Sequence, residues 1–173
     1  IKQIEKLVNE FSDFARMPKP LLKKNNLNNV IKDNISLISK LDKNISIKLI
    51  NHLSKEILIS FDLEQMNRLF FNLIKNSLES IQEKSKKDSK IDKNIDIEIR
   101  QRRDYININI IDTGVGFKNK TTKELIKPYF TTKEKGTGLG LSIVDKIISD
   151  HNGSIQFLNH KKGAKIQIIL PNK

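Results

Sequence analysis

Two short segments of this chain combine glycine with side chains that could do chemistry. The first is residues 112–116 (DTGVG), which follow an apolar, strand-like stretch. Glycines there would let the backbone approach a flat ligand closely, and the Asp112 carboxylate could accept a hydrogen bond from the exocyclic amino group of adenine. The carbonyl oxygen of guanine would instead be repelled. An aspartate in an ordinary turn after a strand gives the same pattern, so both interpretations stay open for this segment alone.

The second segment is residues 136–141 (GTGLGL), which precede an apolar helical pattern. Free backbone N–H groups at a helix N-terminus and the helix dipole both favour a bound anion, so this segment indicates a phosphate-binding loop. Its spacing matches neither the P-loop nor the dinucleotide-binding fingerprint. A flexible hinge is the alternative, although three glycines within six residues favour phosphate binding.

Asn72 and Asn76 form the third candidate group. They are four residues apart on a predicted helix, so their side chains share one face at the edge of its apolar arc. Amide oxygens, together with water and phosphate oxygens, suit a Mg²⁺ ion that keeps much of its hydration shell. An asparagine on a helix is more often only solvated, and the order of this pair relative to the two glycine segments is what gives it weight.

Composition excludes several classes of protein. The chain of 173 residues has no cysteine, which excludes disulfides and thiolate metal sites, and no apolar run approaches the roughly 20 residues that span a bilayer. The net charge of +12 resembles that of nucleic-acid-binding proteins, but 27 of the 32 basic residues are scattered lysines. Arginine forks and aromatic platforms, which read or stack bases, are missing. We therefore expect no nucleic-acid partner and a cytoplasmic location.

The N-terminal segment has its own periodicity. Apolar residues at Ile1, Ile4, Val8, Phe11 and Ala15 follow the spacing of a helical-bundle seam, and two prolines downstream end the helix. We therefore predict that residues 1–17 are the end of a bundle helix, residues 18–26 a linker, and residues 27–173 a separate domain. Because the sequence begins within a helical pattern, we expect it to be a fragment of a longer protein.

The separate domain alternates between helical and strand-like periods. Because strands and helices segregate instead of forming regular βαβ units, the pattern predicts an α+β fold: a two-layer sandwich with helices on one face of a mixed, mostly antiparallel sheet. The predicted helices are residues 27–41, a long helix capped by Asp62 and ending near 82, and residues 139–150; the predicted strands are 45–49, 57–61, 95–99, 105–111, 155–157 and 166–170.

Taken together, the candidate segments resemble the motif set of a known family. Residues 72–76 (NLIKN), residues 112–116, Phe130 and residues 136–140 look like the N, G1, F and G2 boxes of histidine protein kinases. Their order and intervals agree, and the resemblance extends over residues 27–171. Histidine kinases belong to the GHKL superfamily of ATPases, which includes gyrase, Hsp90 and MutL. The resemblance implies the Bergerat ATP-binding fold.

Two further stretches point to a narrower group. Residues 13–18 (DFARMP) and 128–133 (PYFTTK) resemble nitrogen-regulation sensor kinases of the NtrY and NtrB type. This likeness implies a homodimeric parent that could be anchored in the inner membrane. It also implies a dimerisation and histidine phosphotransfer domain and a cognate response regulator as partners, with ATP and Mg²⁺ as cofactors.

The resemblance implies roles for matched positions. Asn76, assisted by Asn72, would hold Mg²⁺ on the triphosphate, Asp112 would bind the adenine amino group, and Gly114 and Gly116 would line the base pocket. The loop that wraps the phosphates would consist of Gly136, Thr137, Gly138, Leu139 and Gly140.

The same resemblance makes residues 117–135 a mobile lid over ATP, with Phe130 and Thr132 beside the nucleotide. Lys133 would place a cation near the γ-phosphate, although a solvent-exposed lysine is the alternative. Glu79, one turn beyond Asn76, could contact metal-bound water or polarise an incoming histidine.

One position separates a kinase from a hydrolase. Hydrolytic relatives carry a glutamate at the position of Asn72, where it activates water, and an amide cannot take that proton. This argues against a gyrase-like or chaperone ATPase, while a degenerate domain that binds nucleotide or regulates a phosphatase stays open. His52, His151 and His160 lack the sequence context of a phosphoacceptor, so the acceptor is expected outside this chain; His151 is expected to cap a helix C-terminus.

Overall fold

The computed structural model describes residues 2–52, 56–133 and 136–173, and this part of the chain contains five helices and seven strands. None of these helices is long and apolar enough to cross a membrane. The helices are α1 Lys2–Ala15, α2 Leu27–Ser39, α3 Leu63–Ser85, α4 Thr122–Leu125 and α5 Gly140–Asp150. The strands are β1 Lys23–Asn26, β2 Ser46–Asn51, β3 Leu58–Phe61, β4 Asn94–Gln101, β5 Tyr105–Asp112, β6 Ser154–His160 and β7 Gly163–Pro171.

The main sheet has five strands in the order β2-β4-β5-β7-β6. Only the β2–β4 pair is parallel, and the other three pairs are antiparallel. Alternate residues of β5 point into the core, and Ile106, Ile108 and Ile110 are fully buried there. Helices α2, α3 and α5 cover that apolar face, so the predicted α+β sandwich with a mixed, mostly antiparallel sheet is confirmed.

Helix α3 is the central helix of the domain and packs against both α2 and α5. It begins where predicted, because the Asp62 side chain accepts a hydrogen bond from the Gln65 N–H at 3.0 Å and so caps the helix N-terminus. It continues to Ser85, three residues beyond the predicted end. Its buried arc consists of Gln65, Met66, Leu69, Phe70, Leu73, Ile74, Ser77, Leu78 and Ile81.

Helix α1 ends at Ala15, before the two prolines and two residues short of the predicted end at residue 17. Phe14 is half-buried against the core of the domain, whereas Val8 and Phe11 are 55% and 46% exposed. Of the predicted seam, Ile1 lies outside the described residues, and so does the side chain of Ile4.

The predicted linker is partly wrong. Its last four residues form strand β1, which pairs antiparallel with β3 in a small second sheet. The segment before β1 is fixed to the N-terminus of α3, because the Leu21 N–H donates to Asp62 Oδ2 at 2.8 Å and Gln65 Nε2 donates to the Pro18 carbonyl at 3.0 Å. Although burial raises the pKa of Asp62, hydrogen bonds from the Gln65 and Leu21 N–H groups hold it below its usual value. The connection between α1 and the domain is therefore a docked segment.

His151 caps α5, as expected, and it also joins two helices. Its ring is buried, with Nδ1 2.8 Å from the Ile147 carbonyl oxygen, while Nε2 accepts the Asp62 N–H at 3.0 Å. The His151 ring therefore bridges the C-terminus of α5 to the N-terminus of α3.

Candidate functional site

Asp112 is the last residue of β5, between β4 and β7, and its side chain is only 2% exposed. The Gly114 N–H donates to Asp112 Oδ1 at 2.9 Å. Burial raises the pKa of this carboxyl, and the effect outweighs the hydrogen bond from Gly114 and the attraction of the Lys84 ammonium. A buried carboxylate is stabilised by each further group that donates a hydrogen bond to it, so Asp112 favours a ligand with a donor.

The turn after Asp112 packs directly on α3. A Cβ at Gly114 would lie 2.2 Å from Ser80 Oγ, so only glycine fits there, and the same hydroxyl accepts the Val115 N–H at 3.0 Å. On its other side, Thr113 Oγ1 accepts the Asn94 N–H at 3.1 Å. The first glycine segment is thus held between α3 and the start of β4.

The second glycine segment leads into α5 and is anchored by Leu139, which is fully buried. Leu139 is the N-cap of α5 and offers no side-chain hydrogen bond, so the first N–H groups of the helix are not capped by a side chain. Gly138 has a φ of +73°, and a Cβ there would lie 2.4 Å from the Tyr129 carbonyl carbon. A Cβ at Gly140 would lie 3.3 Å from Asn72 Oδ1. The loop is therefore pressed between the lid and α3.

A lysine from the lid reaches the asparagine face of α3. Lys133 Nζ donates to Asn76 Oδ1 at 3.0 Å and forms an ion pair with Glu79, which also lies 3.9 Å from Lys75 Nζ. The Asn72 amide donates to the Arg68 carbonyl at 2.9 Å. Three residues that the sequence analysis singled out separately, Asn76, Glu79 and Lys133, thus form one polar cluster.

The rest of the lid has structure that the sequence analysis did not predict. It contains the short helix α4, which begins with a capping box between Thr121 and Glu124. Phe130 is half-buried against the core, and Lys120 Nζ lies 5.9 Å from the centroid of its ring. Thr132 is exposed. The last two residues of the predicted lid, 134 and 135, lie outside the described part of the chain.

One face of α3 connects the two glycine segments. Asn72, Asn76 and Ser80 recur every four residues, so they form a row about 12 Å long. Ser80 contacts the first glycine segment, Asn76 lies in the polar cluster, and Asn72 faces Gly140. The sequence analysis missed Ser80, although its four-residue spacing from Asn76 was a usable signal. It also missed Ser77, which is buried close to the Asp112 carboxyl.

The side chains near Asn76 limit the kind of metal site that could form there. Within residues 2–52, 56–133 and 136–173, no three His, Asp or Glu side chains are grouped closely enough to hold a metal ion. The Lys133 ammonium nevertheless occupies a place between an amide oxygen and a carboxylate, which is where a cation is attracted. A divalent ion at this position would need further oxygen ligands from a bound phosphate group.

Comparison with known proteins gives consistent matches. Residues 61–173 match the family model described as histidine kinase-, DNA gyrase B- and HSP90-like ATPases. The chain is 31% identical over 172 residues to the nitrogen regulation protein NtrY of Azorhizobium caulinodans. That alignment covers 98% of this chain but 22% of NtrY, so the chain spans less than a quarter of that relative.

Two solved structures share the fold at low sequence identity. Full-length ShkA in complex with AMPPNP has a TM-score of 0.80 and 18% identity, and the match covers 96% of this chain and 35% of ShkA. Histidine kinase ThkA in complex with the response regulator protein TrrA has a TM-score of 0.81 and 20% identity, over 99% of this chain and 48% of the ThkA chain.

We expect Asp112→Asn to raise the free energy of unfolding of the ligand-free protein at neutral pH. Because burial holds the pKa of Asp112 above its usual value, ionising this carboxyl destabilises the folded state. The advantage of the variant should shrink as the pH falls through the folded-state pKa and vanish below the usual value of 3.8. Urea denaturation of both proteins across this range measures the difference. A variant that is less stable at neutral pH would show that hydrogen bonds to the carboxylate outweigh its burial.

Proposed function

The chain belongs to the family of histidine kinase-, DNA gyrase B- and HSP90-like ATPases, and we propose that it is the ATP-binding part of a sensor histidine kinase. In this proposal it transfers the γ-phosphate of ATP to a histidine on a dimerisation domain of its parent protein. The observation that carries the proposal is the row on α3, which joins a buried carboxylate at one end to an uncapped helix N-terminus at the other.

One end of the row lies beside a group that can bind adenine, and the other lies beside groups that can bind the phosphates of ATP. Asp112 accepts a hydrogen bond from the adenine amino group, and Gly114 and Gly116 leave room for the flat base beside it. Glycine is required at 116 as well, because its φ is +72°. The N–H groups that begin α5, with Gly136, Gly138 and Gly140, receive the phosphates. Phe130 and Thr132 line the lid side of the nucleotide.

Mg²⁺ fits between these ends. Asn76, assisted by Asn72, would hold it through amide oxygens, while nucleotide phosphates supply the remaining ligands, and the ion neutralises phosphate charge during transfer. The position of the Lys133 ammonium supports this assignment, because it shows that a cation is attracted to the Asn76 amide oxygen. Once displaced from Asn76, Lys133 would pair with the γ-phosphate.

Transfer to a histidine is favoured over hydrolysis. Asn72 stands where hydrolytic relatives carry a water-activating glutamate, and its amide cannot deprotonate water. Without a general base, water is a poor nucleophile, whereas a neutral imidazole needs no deprotonation to attack phosphorus. Glu79 would then orient or polarise the incoming imidazole.

The proposed partners follow from this chemistry and from the relatives. An NtrY-like parent would supply the dimerisation and phosphotransfer domain, and ThkA, which shares this fold, is found with a response regulator protein. We infer that this chain acts in the cytoplasm with a cognate response regulator, and that its parent is a homodimer that could be anchored in the inner membrane.

Calorimetric titration with ATP and GTP tests the nucleotide assignment. We expect ATP to bind with a clear preference, because the carbonyl oxygen of guanine would face the Asp112 carboxylate. Asp112→Asn should weaken ATP binding by about 1.5–3 kcal/mol through loss of a charge-assisted hydrogen bond. Equal affinities for ATP and GTP would contradict the adenine pocket.

A second titration addresses the metal. Asn76→Ala should abolish the tightening of ATP binding by Mg²⁺ and leave the fold intact, because Asn76 borders the buried arc of α3 without filling it. Thermal unfolding with ATP, in the presence of Mg²⁺ or of EDTA, separates the two contributions. Asn67→Ala, on the same helix but outside the row, is the matched control. Wild-type dependence on Mg²⁺ in Asn76→Ala would remove Asn76 from the metal site.

The phosphotransfer reaction itself can be reconstituted in trans. We expect the chain not to label itself with γ-labelled ATP, and to label an added dimerisation hairpin that carries the acceptor histidine. Without a water-activating carboxylate at Asn72, release of free phosphate should be slow. An alkali-stable, acid-labile label on this chain alone would contradict the proposal. So would an unlabelled hairpin under conditions in which the intact cytoplasmic portion labels itself.

A further inference from the structure

Helix α1 contacts the lid and the phosphate-binding loop at two adjacent positions. The hydroxyl of Thr137, in the second glycine segment, donates a short hydrogen bond to the Glu10 carboxylate. The next residue, Phe11, stacks on Tyr129, with ring centroids 6.3 Å apart and an interplanar angle of 26°. One turn of α1 therefore touches both ends of the segment that runs from Tyr129 to the phosphate loop.

The two contact points on the domain are themselves coupled. Tyr129 has a φ of 67° and its backbone lies so close to Gly138 that a Cβ at Gly138 would be 2.4 Å from the Tyr129 carbonyl carbon. A shift of the Tyr129 backbone must therefore move the neighbouring glycine loop. Because interfaces packed this tightly move as units, α1 holds the lid and the phosphate loop together.

The C-terminal end of α1 and the residues that follow it are fixed to the domain. Phe14 and Met17 pack against the core, and the Pro18 carbonyl accepts a hydrogen bond from Gln65 on α3. The Glu10 contact is therefore part of a docked helix, and its position relative to the phosphate loop is set by the body of the domain.

The charge of this contact is unfavourable for the ligand that the loop is proposed to bind. A carboxylate at Thr137 repels phosphate groups, and the repulsion grows with the charge of the polyphosphate. We propose that Glu10 couples docking of α1 to the phosphate state of the nucleotide: docked α1 lowers the affinity for ATP more than for ADP, and bound ATP loosens the Glu10 and Phe11 contacts. The second effect follows from the first by thermodynamic reciprocity. This inference rests on the proposed function.

Calorimetry with ATP, ADP and AMP tests the charge dependence. Glu10→Gln keeps a hydrogen-bond acceptor for Thr137 and removes the charge, so the Kd for ATP should fall roughly fivefold, that for ADP about twofold, and that for AMP should change least. Added salt should reduce the difference. Glu5→Gln removes the same charge from an exposed position of the same helix and is the matched control, for which we expect no change.

Tyr129 provides a second, independent measurement, because the chain has two tyrosines and no tryptophan. In protein labelled with 3-fluorotyrosine, the two fluorine resonances are assigned by Tyr105→Phe. Saturating ATP should shift the Tyr129 resonance as its stack with Phe11 loosens, and ADP should shift it less. In Phe11→Ala the resonance should already lie near the ATP-bound position.

The outcomes separate this coupling from the proposed function. The coupling is wrong if ATP binds the wild type and Glu10→Gln equally well. It is also wrong if Glu10→Gln tightens the binding of ATP and AMP by the same factor. In both cases the proposed ATP binding stands. If none of the three nucleotides binds any variant, both are wrong. Circular dichroism and thermal unfolding of each variant confirm that it is folded like the wild type.

Discussion

Helix α3 has one face that must be buried and, next to it, a row of polar residues that must stay accessible. The rest of the domain packs around these two surfaces. The buried arc of the helix must be shielded from water, because it lies between α2, α5 and the sheet. Its apolar side chains form much of the core. The adjacent row must stay polar and reachable, since Asn72, Asn76 and Ser80 face the glycine segments. The boundary passes between neighbouring residues: Leu73 is fully buried, while Asn72 and Asn76 are partly exposed.

The two glycine segments stay close to the core because their backbones pack directly on neighbouring elements. At Gly114 the chain touches a serine of α3, and at Gly138 it touches the lid, at distances that no side chain would tolerate. Backbone groups of the first loop are hydrogen-bonded within the protein, Gly114 to Asp112 and Val115 to Ser80. Because the second loop packs equally closely on the lid, the proposed coupling of the lid, the phosphate loop and α1 needs only small displacements.

Much of this could be predicted from sequence, because it depends on local patterns. Strand alternation identified β5, and Asp62 identified the start of α3; the glycine segments identified the loops. What could not be predicted depends on tertiary contacts between distant residues. Lys133, Glu79 and Asn76 could each be singled out separately, but the hydrogen bond and ion pair that join them depend on the fold. Strand β1 has a sequence of lysines and asparagines that no strand preference would select, and it exists because β3 offers an unpaired edge.

Two charged side chains from outside the row on α3 contact the candidate site. A lid ammonium, Lys133, occupies the place of a cation, and a carboxylate from α1, Glu10, occupies a place of an anion at the phosphate loop. One of these side chains comes from the lid and the other from α1, whereas the groups they contact, Asn76 and Thr137, are among the proposed site residues. Under the proposed function, a metal–triphosphate ligand would carry both charges at once and would displace both side chains in one binding event. A ligand with only one of these charges would leave the other side chain in place, so we expect the site to prefer the complete metal–nucleotide complex.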